Sequence, residues 1–274
     1  SPRPSSAVRI LRLSPDVAGR LRAAPRDAAR VHSVFERAIN LRCHDGRLVM
    51  LQGPGALSAP FAVALERLPE ARTLGPGMVA TREGTQLMLA STAIDWQGAK
   101  AARTRIPPTT RVPRALGRLL DRAEPLPGAP RLDSERGLRG RECLSAGIGT
   151  ADPAAFLAGA RALIGLGEGL TPAGDDCVVG ALAILRRWRP AFLDDRPDIR
   201  HELAAAINGG TTDVGRELLL HALDGNFSEP IVALATATSE AAASEAARRL
   251  LAIGHTSGAD ALLGMRLAWR AMGA

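Results

Sequence analysis

The residues best suited to chemistry lie in Gly165-Leu-Gly-Glu-Gly-Leu-Thr-Pro-Ala-Gly-Asp-Asp176. Gly165, Gly167 and Gly169 permit positive-φ backbone and leave amides uncovered, while Thr171 and Pro172 read as the N-cap and first residue of a following helix. Orphan N–H groups at a helix start favour a phosphate or a carboxylate. The segment lacks the Gly-Lys-Ser/Thr of a Walker A loop, and Lys100 is the only lysine, so arginine must do any anion clamping. Asp175 and Asp176 fall in the first turn, where the helix dipole alone stabilises an acid by about 0.3–1 kcal/mol. Two adjacent acids would repel a naked anion, so protonation, or a Mg²⁺ ion on Asp175 and Asp176, would reconcile them with an anionic substrate. No other cofactor is called for.

A second constellation, Gly254-His-Thr-Ser-Gly-Ala-Asp260, gathers a titratable imidazole, two hydroxyls and an acid at another helix start. The catalytic candidates are Asp175 and Asp176, for a metal or a substrate amide, and His255 with Asp260, for proton transfer. Anion or substrate binding falls to Gly165, Gly167, Gly169, Thr171, Gly174, Thr256 and Ser257, joined by Thr212 and Arg216 from Asn208-Gly-Gly-Thr-Thr-Asp-Val-Gly-Arg216. Plain structural roles compete throughout: Thr212 or Asp213 as a cap, Thr256 or Ser257 as a cap, and either aspartate as a dipole partner. A Ser-His-Asp triad is not implied, because neighbours on one turn seldom face one another and there is no Gly-x-Ser-x-Gly elbow.

These segments need positioning elements. Short apolar runs at Leu48–Leu51, Met78–Thr81, Leu87–Ala90 and Thr92–Ile94 read as strands, with Arg82-Glu-Gly-Thr85 as a hairpin loop and Asp45-Gly46 as a turn. Ser14-Pro15-Asp16 opens an early helix. His32-Ser33 and Asn40 read as polar punctuation in an apolar stretch. Beyond the prolines of residues 123–130 the periodicity is helical: 154–163, 175–188, 199–207, 214–223, 239–251 and 259–269. The expected class is α+β, a β-rich N-terminal region (1–122), a Pro-rich linker (123–130) and a mainly α-helical C-terminal region (131–274). A weak echo, Gly-x-Asp-x-x-x-Gly, relates Gly174–Gly180 to Gly258–Gly264 and would place Asp176 and Asp260 in equivalent helices.

Composition narrows the classes. The 274 residues, 46% apolar, suffice for a buried core, and no run reaches the roughly 20 apolar residues of a membrane helix. With no signal-like apolar core after Ser1-Pro-Arg-Pro, a cytoplasmic protein is expected. Cys43, Cys143 and Cys177 form no Cys-x-x-Cys pair, so neither a disulfide framework nor zinc is indicated. Net charge +7 raises nucleic acid, but the arginines are dispersed, aromatics are 3%, and Arg103–Arg111 has no stacking residues between its cations. Neither nucleic acid nor membrane is an expected partner.

The Gly165–Asp176 segment with Gly180, followed by Gly254-His-Thr-Ser-Gly-Ala-Asp260, resembles the AllH-type family. His32-Ser-Val-Phe35, Asn40-Leu41 and Asp45-Gly-Arg-Leu-Val49 look like the N-terminal pattern of that family, so the likeness spans most of the chain. The resemblance implies a subunit of oxamate carbamoyltransferase working with FdrA-type and AllG-type proteins in purine and allantoin breakdown. Carbamoyl would pass between oxalurate and phosphate, giving oxamate and carbamoyl phosphate. Glu168, Ala173 and Cys177 depart from the pattern, which bears on the substrate more than on the fold. Two other readings are a stand-alone hydrolase or transferase of another carbamoyl or amide compound, and a non-catalytic partner of an FdrA-type enzyme.

Overall fold

A computed structural model describes residues 7–110, 114–121 and 130–273. They form two compact units, one up to Thr104 and one from Arg105 onward. The first carries β1 (Val8–Leu13), α1 (Pro15–Ala23), β2 (Asp27–Val34), β3 (Ala38–Cys43), β4 (Leu48–Gln52), β5 (Ala62–Leu65), β6 (Val79–Glu83), β7 (Gln86–Leu89), β8 (Thr92–Asp95) and β9 (Lys100–Ala101). Local signals account for several joints. The β6–β7 hairpin closes at Glu83 and Gln86 around Gly84, whose φ is +60°. Gly46, at φ +80°, turns β3 into β4 while Arg47 N–H donates to Asp45 Oδ1 at 3.1 Å. Ser14 caps α1 by accepting from Val17 N–H at 3.2 Å.

The strands lie in the order β5-β4-β3-β2-β6-β7-β8-β1, and β1 pairs back onto β5, so the eight form a closed barrel. β9 extends the edge of β1 past the end of β8. This corrects the α+β expectation. A closed ring has no open sheet for helices to cover: the N-terminal unit is an all-β barrel with one helix, followed by a separate helical unit. The physical reason is that closure rests on antiparallel pairing of Ile10–Leu13 with Val63–Leu65, through an irregularity between Ile10 and Arg12. Pairing between segments so far apart leaves no trace in local periodicity.

The second unit contains α2 (Arg114–Asp121), α3 (Glu135–Thr150), α4 (Pro153–Leu163), α5 (Ala173–Trp188), α6 (Ala191–Asp194), α7 (Pro197–Gly210), α8 (Asp213–Leu223), α9 (Glu229–Ala235), α10 (Glu240–Leu251) and α11 (Ser257–Ala271). α2 packs on α10 and α11, with Gly117 against the Trp269 ring. Most of the proline-rich stretch at 123–130 lies outside the described residues. Glycines in α3 and α4 are contact points: a Cβ at Gly147 would strike the backbone of Phe156, and one at Gly159 the backbone of Leu144. No helix among the described residues is long and apolar enough to cross a membrane.

α5 and α11 form the centre of this unit. A Cβ at Gly180 would meet the Ala261 carbonyl and one at Gly264 the Cys177 carbonyl, so each helix gives the other its closest approach. Gly174 and Gly258 do the same with the carbonyls of Leu163 in α4 and Leu250 in α10. α3 packs on α11, and α9 on α5. The Gly-x-Asp-x-x-x-Gly echo thus falls at the starts of α5 and α11, the last helices of two halves, α3-α4-α5 and α9-α10-α11, which cross at paired glycines.

Candidate functional site

The glycine loop before α5 adopts the backbone its residues allow, with φ +73° at Gly165, +126° at Gly167 and +87° at Gly169. The amides at its two ends, and those of the first turn of α5, are used within the chain. Gly174 N–H donates to Leu166 O at 2.8 Å, and the Asp175 and Asp176 amides both donate to Pro172 O. Gly165 N–H donates to Asp175 Oδ1 at 2.7 Å, and the Thr211 hydroxyl donates to Asp175 Oδ2. Gly165 N–H, at the head of the loop, thus meets a carboxylate of the chain itself. Asp175 is 0% exposed, and burial pushes its carboxyl up to about 6 against the opposing pull of Gly165 N–H and the Thr211 hydroxyl.

Asp176 has a different environment. α5 is capped by Pro172 with no side-chain bond, so Thr171 does not serve as the expected cap. Its hydroxyl instead meets the Ser257 hydroxyl at 2.8 Å, which ties the loop before α5 to the start of α11. Both hydroxyls hydrogen-bond Asp176, and the charges of Asp260 and Asp175 act on it. Asp176 is 6% exposed, and burial, reinforced by those charges, holds its carboxyl well above the usual carboxylate range despite the two hydroxyls. Its Oδ2 is buried and has no hydrogen-bond partner among the described residues. Asp260, fully buried, occupies the corresponding place in α11. The two glycine motifs thus converge on a cluster of Thr171, Asp176, Ser257 and Asp260.

The remaining sequence-derived candidates lie elsewhere or hold structure. Thr212 caps α8, accepting from Gly215 N–H at 2.9 Å and donating to Leu170 O. Arg216 pairs with Asp213 at 3.3 Å. Thr256 is the N-cap of α11 but makes no side-chain cap bond. His255 is exposed on the turn before α11. Sequence reasoning passed over Thr211, which grips Asp175, and a buried contact in α8 between Glu217 Oε1 and His221 Nε2 at 3.3 Å. The i,i+4 spacing of that pair was its only trace. Cys177, buried beside the cluster with its thiol pushed by burial up to about 12, is unsuited to nucleophilic work.

The donor set does not fit a metal centre. Among the described residues no group of three or more His, Cys, Asp or Glu could hold an ion. Both Asp175 oxygens already accept hydrogen bonds, and Asp176 is a carboxyl that its surroundings favour neutral. A neutral Asp176 carboxyl relieves the like-charge repulsion between the adjacent acids.

No solved structure matches the chain. Two family models do: residues 163–269, which hold the whole Thr171–Asp176–Ser257–Asp260 cluster, match the one described as oxamate carbamoyltransferase subunit AllH. Residues 9–102, which hold the barrel strands, match the AllH family N-terminal domain. Together these matches cover most of the chain, and it belongs to the AllH family.

Proposed function

We propose that this protein is the carbamoyl-handling subunit of an oxamate carbamoyltransferase-type complex, with the joined starts of α5 and α11 as its reaction site. In the direction of carbamoyl phosphate formation, a phosphate oxygen bonds to the carbamoyl carbon of oxalurate. The bond from that carbon to the nitrogen breaks, and a proton reaches the departing nitrogen of oxamate. The observation that carries the reading is the buried, unpartnered Oδ2 of Asp176. A neutral carboxyl there donates one hydrogen bond or one proton, and it does not repel an anionic substrate as a carboxylate would. Thr171 and Ser257 fix its orientation. FdrA-type and AllG-type proteins, and a cytoplasmic setting, complete the proposal, with the family description as a subunit as its support.

The test is Asp176→Asn in the reconstituted complex, following phosphate release from carbamoyl phosphate and oxamate. With the fold intact by circular dichroism, the expected loss in kcat is about 100-fold or more. Full activity would remove the Asp176 proton from the mechanism. It would then favour a second reading, a non-catalytic partner subunit, for which the internal use of the Gly165, Gly174 and Asp175 groups speaks.

A further inference from the structure

In the barrel, the pairing of β2 with β3 runs Val31 to Leu41 and then Ser33 to Asn40, which leaves His32 as an extra residue in a bulge. Bulges re-aim side chains and recur beside binding sites. β6 ends its pairing with β2 opposite Arg30, so the bulge sits where β3 is the only strand paired with β2 among the described residues. Asn40 is opposite both Ser33 and, in β4, Met50. Register partners share one face of a sheet, so Ser33, Asn40 and Met50 form a row. Asn40 Nδ2 donates to Ser33 Oγ at 3.0 Å, and His32 Nδ1 lies 3.0 Å from the same oxygen.

Asn40 is only 1% exposed, yet its Oδ1 is buried and has no hydrogen-bond partner among the described residues. Leaving such an acceptor unsatisfied costs about 1–3 kcal/mol, and buried polar atoms are rarely left so. An acceptor left open in this way is met by an ordered water or by a donor from a ligand. His32 and Ser33 are half-buried and so give the cluster a way to the surface. The groups that form it, an amide, a hydroxyl, an imidazole and a thioether, include no carboxylate to attract an ammonium ion. They suit a neutral planar group with an N–H donor beside a carbonyl acceptor.

We propose that His32, Ser33 and Asn40 form a second ligand site, on the barrel, for a primary amide or carbamoyl group. The ligand N–H donates to Asn40 Oδ1, and its carbonyl accepts from the Ser33 hydroxyl. The site is built from barrel residues alone and does not rest on the role proposed for the α5/α11 cluster.

The test is proton NMR of the His32 ring in the full chain, assigned with His32→Gln, during titration with oxamate and with N,N-dimethyloxamate. Oxamate should shift the resonance saturably and bind about tenfold more tightly than the dimethylated compound, the worth of one good hydrogen bond. Asn40→Leu should abolish the response, and Asp176→Asn should leave it intact, which separates this proposal from the assignment of the helical site. If Asn40→Leu does not fold, Ser33→Ala serves in its place and should weaken oxamate binding about tenfold. An unsaturable shift, or equal affinity for the two compounds, would overturn the proposal and leave Asn40 to an ordered water. A response that survives Asn40→Leu or Ser33→Ala unchanged would overturn it too.

Discussion

The two helix starts at the centre of the helical unit are built on one plan and differ in a single informative way. Gly174-Asp175-Asp176 precedes the body of α5 as Gly258-Ala259-Asp260 precedes that of α11. Asp176 and Asp260 correspond, both buried, and both lie behind a glycine pressed on the carbonyl of an earlier helix. Asp175 has only Ala259 opposite it. The extra acid is the one that draws in Gly165 N–H and the Thr211 hydroxyl, so it organises the long glycine loop that α11 lacks. The acid shared by both halves carries the reactive group of the proposed site, and the unshared acid builds the loop around it.

The comparison breaks first at the crossing. Gly180→Ala and Gly264→Ala each force a methyl group into a backbone carbonyl of the facing helix, which neither helix can avoid without separating. Each should cost about 3 kcal/mol or more, read as a drop in the urea midpoint, because overpacking against rigid backbone exceeds the usual cost of a tight core. A large penalty at one glycine and a negligible one at the other would show that the halves do not share their contact.

Asp175 sharpens the distinction through pH. Its carboxyl titrates near 6 in the folded protein against an ordinary 3.8, so between these values the folded state holds the extra proton. Its contribution is therefore fully present below about pH 4 and lost as pH rises through about 6, roughly 3 kcal/mol in total. Asp175→Asn should flatten this part of the stability profile measured by denaturant unfolding from pH 4 to 7. An unchanged slope would place the titration elsewhere, with Asp176 the first alternative.

A smaller effect joins the halves. Thr171 and Ser257 are 86 positions apart yet share a hydrogen bond. A double-mutant cycle of Thr171→Val and Ser257→Ala should give a coupling of about 1 kcal/mol, since both hydroxyls also serve Asp176. Strict additivity would mean that each hydroxyl acts on Asp176 alone and that the halves meet only through apolar packing.

What could be read from the sequence follows the range of each interaction. The strand at Leu48–Gln52, the hairpin at Gly84 and the cap at Ser14 rest on neighbours within a few residues, and they stand close to where local patterns put them. The barrel does not, because β1 meets β5 only in three dimensions. α3 was hidden by its glycines, since Gly137, Gly140, Gly147 and Gly149 read locally as helix breakers, although Gly140 and Gly147 are where α4 approaches. In the candidate site the residue types were visible, but Thr171 read as a cap because its real partner lies in the other half. In the same way local pattern gave no sign that Gly165 N–H would donate to Asp175, ten positions on.

The least effect is expected at His255, and it tests how far the two halves are alike. Counted back from Gly258, His255 stands where Thr171 stands before Gly174, but Thr171 points into the cluster whereas His255 is exposed. An exposed turn residue without a buried role contributes little, so His255→Ala should change stability by less than about 0.5 kcal/mol. In the complex it should leave kcat within about threefold, because a general base or acid in use supplies about 10²–10⁴. A loss above tenfold would mean that the α11 start turns its imidazole inward when substrate binds. The two helix starts would then share the proton chemistry, with Asp176 as donor from one half and His255 as acceptor from the other.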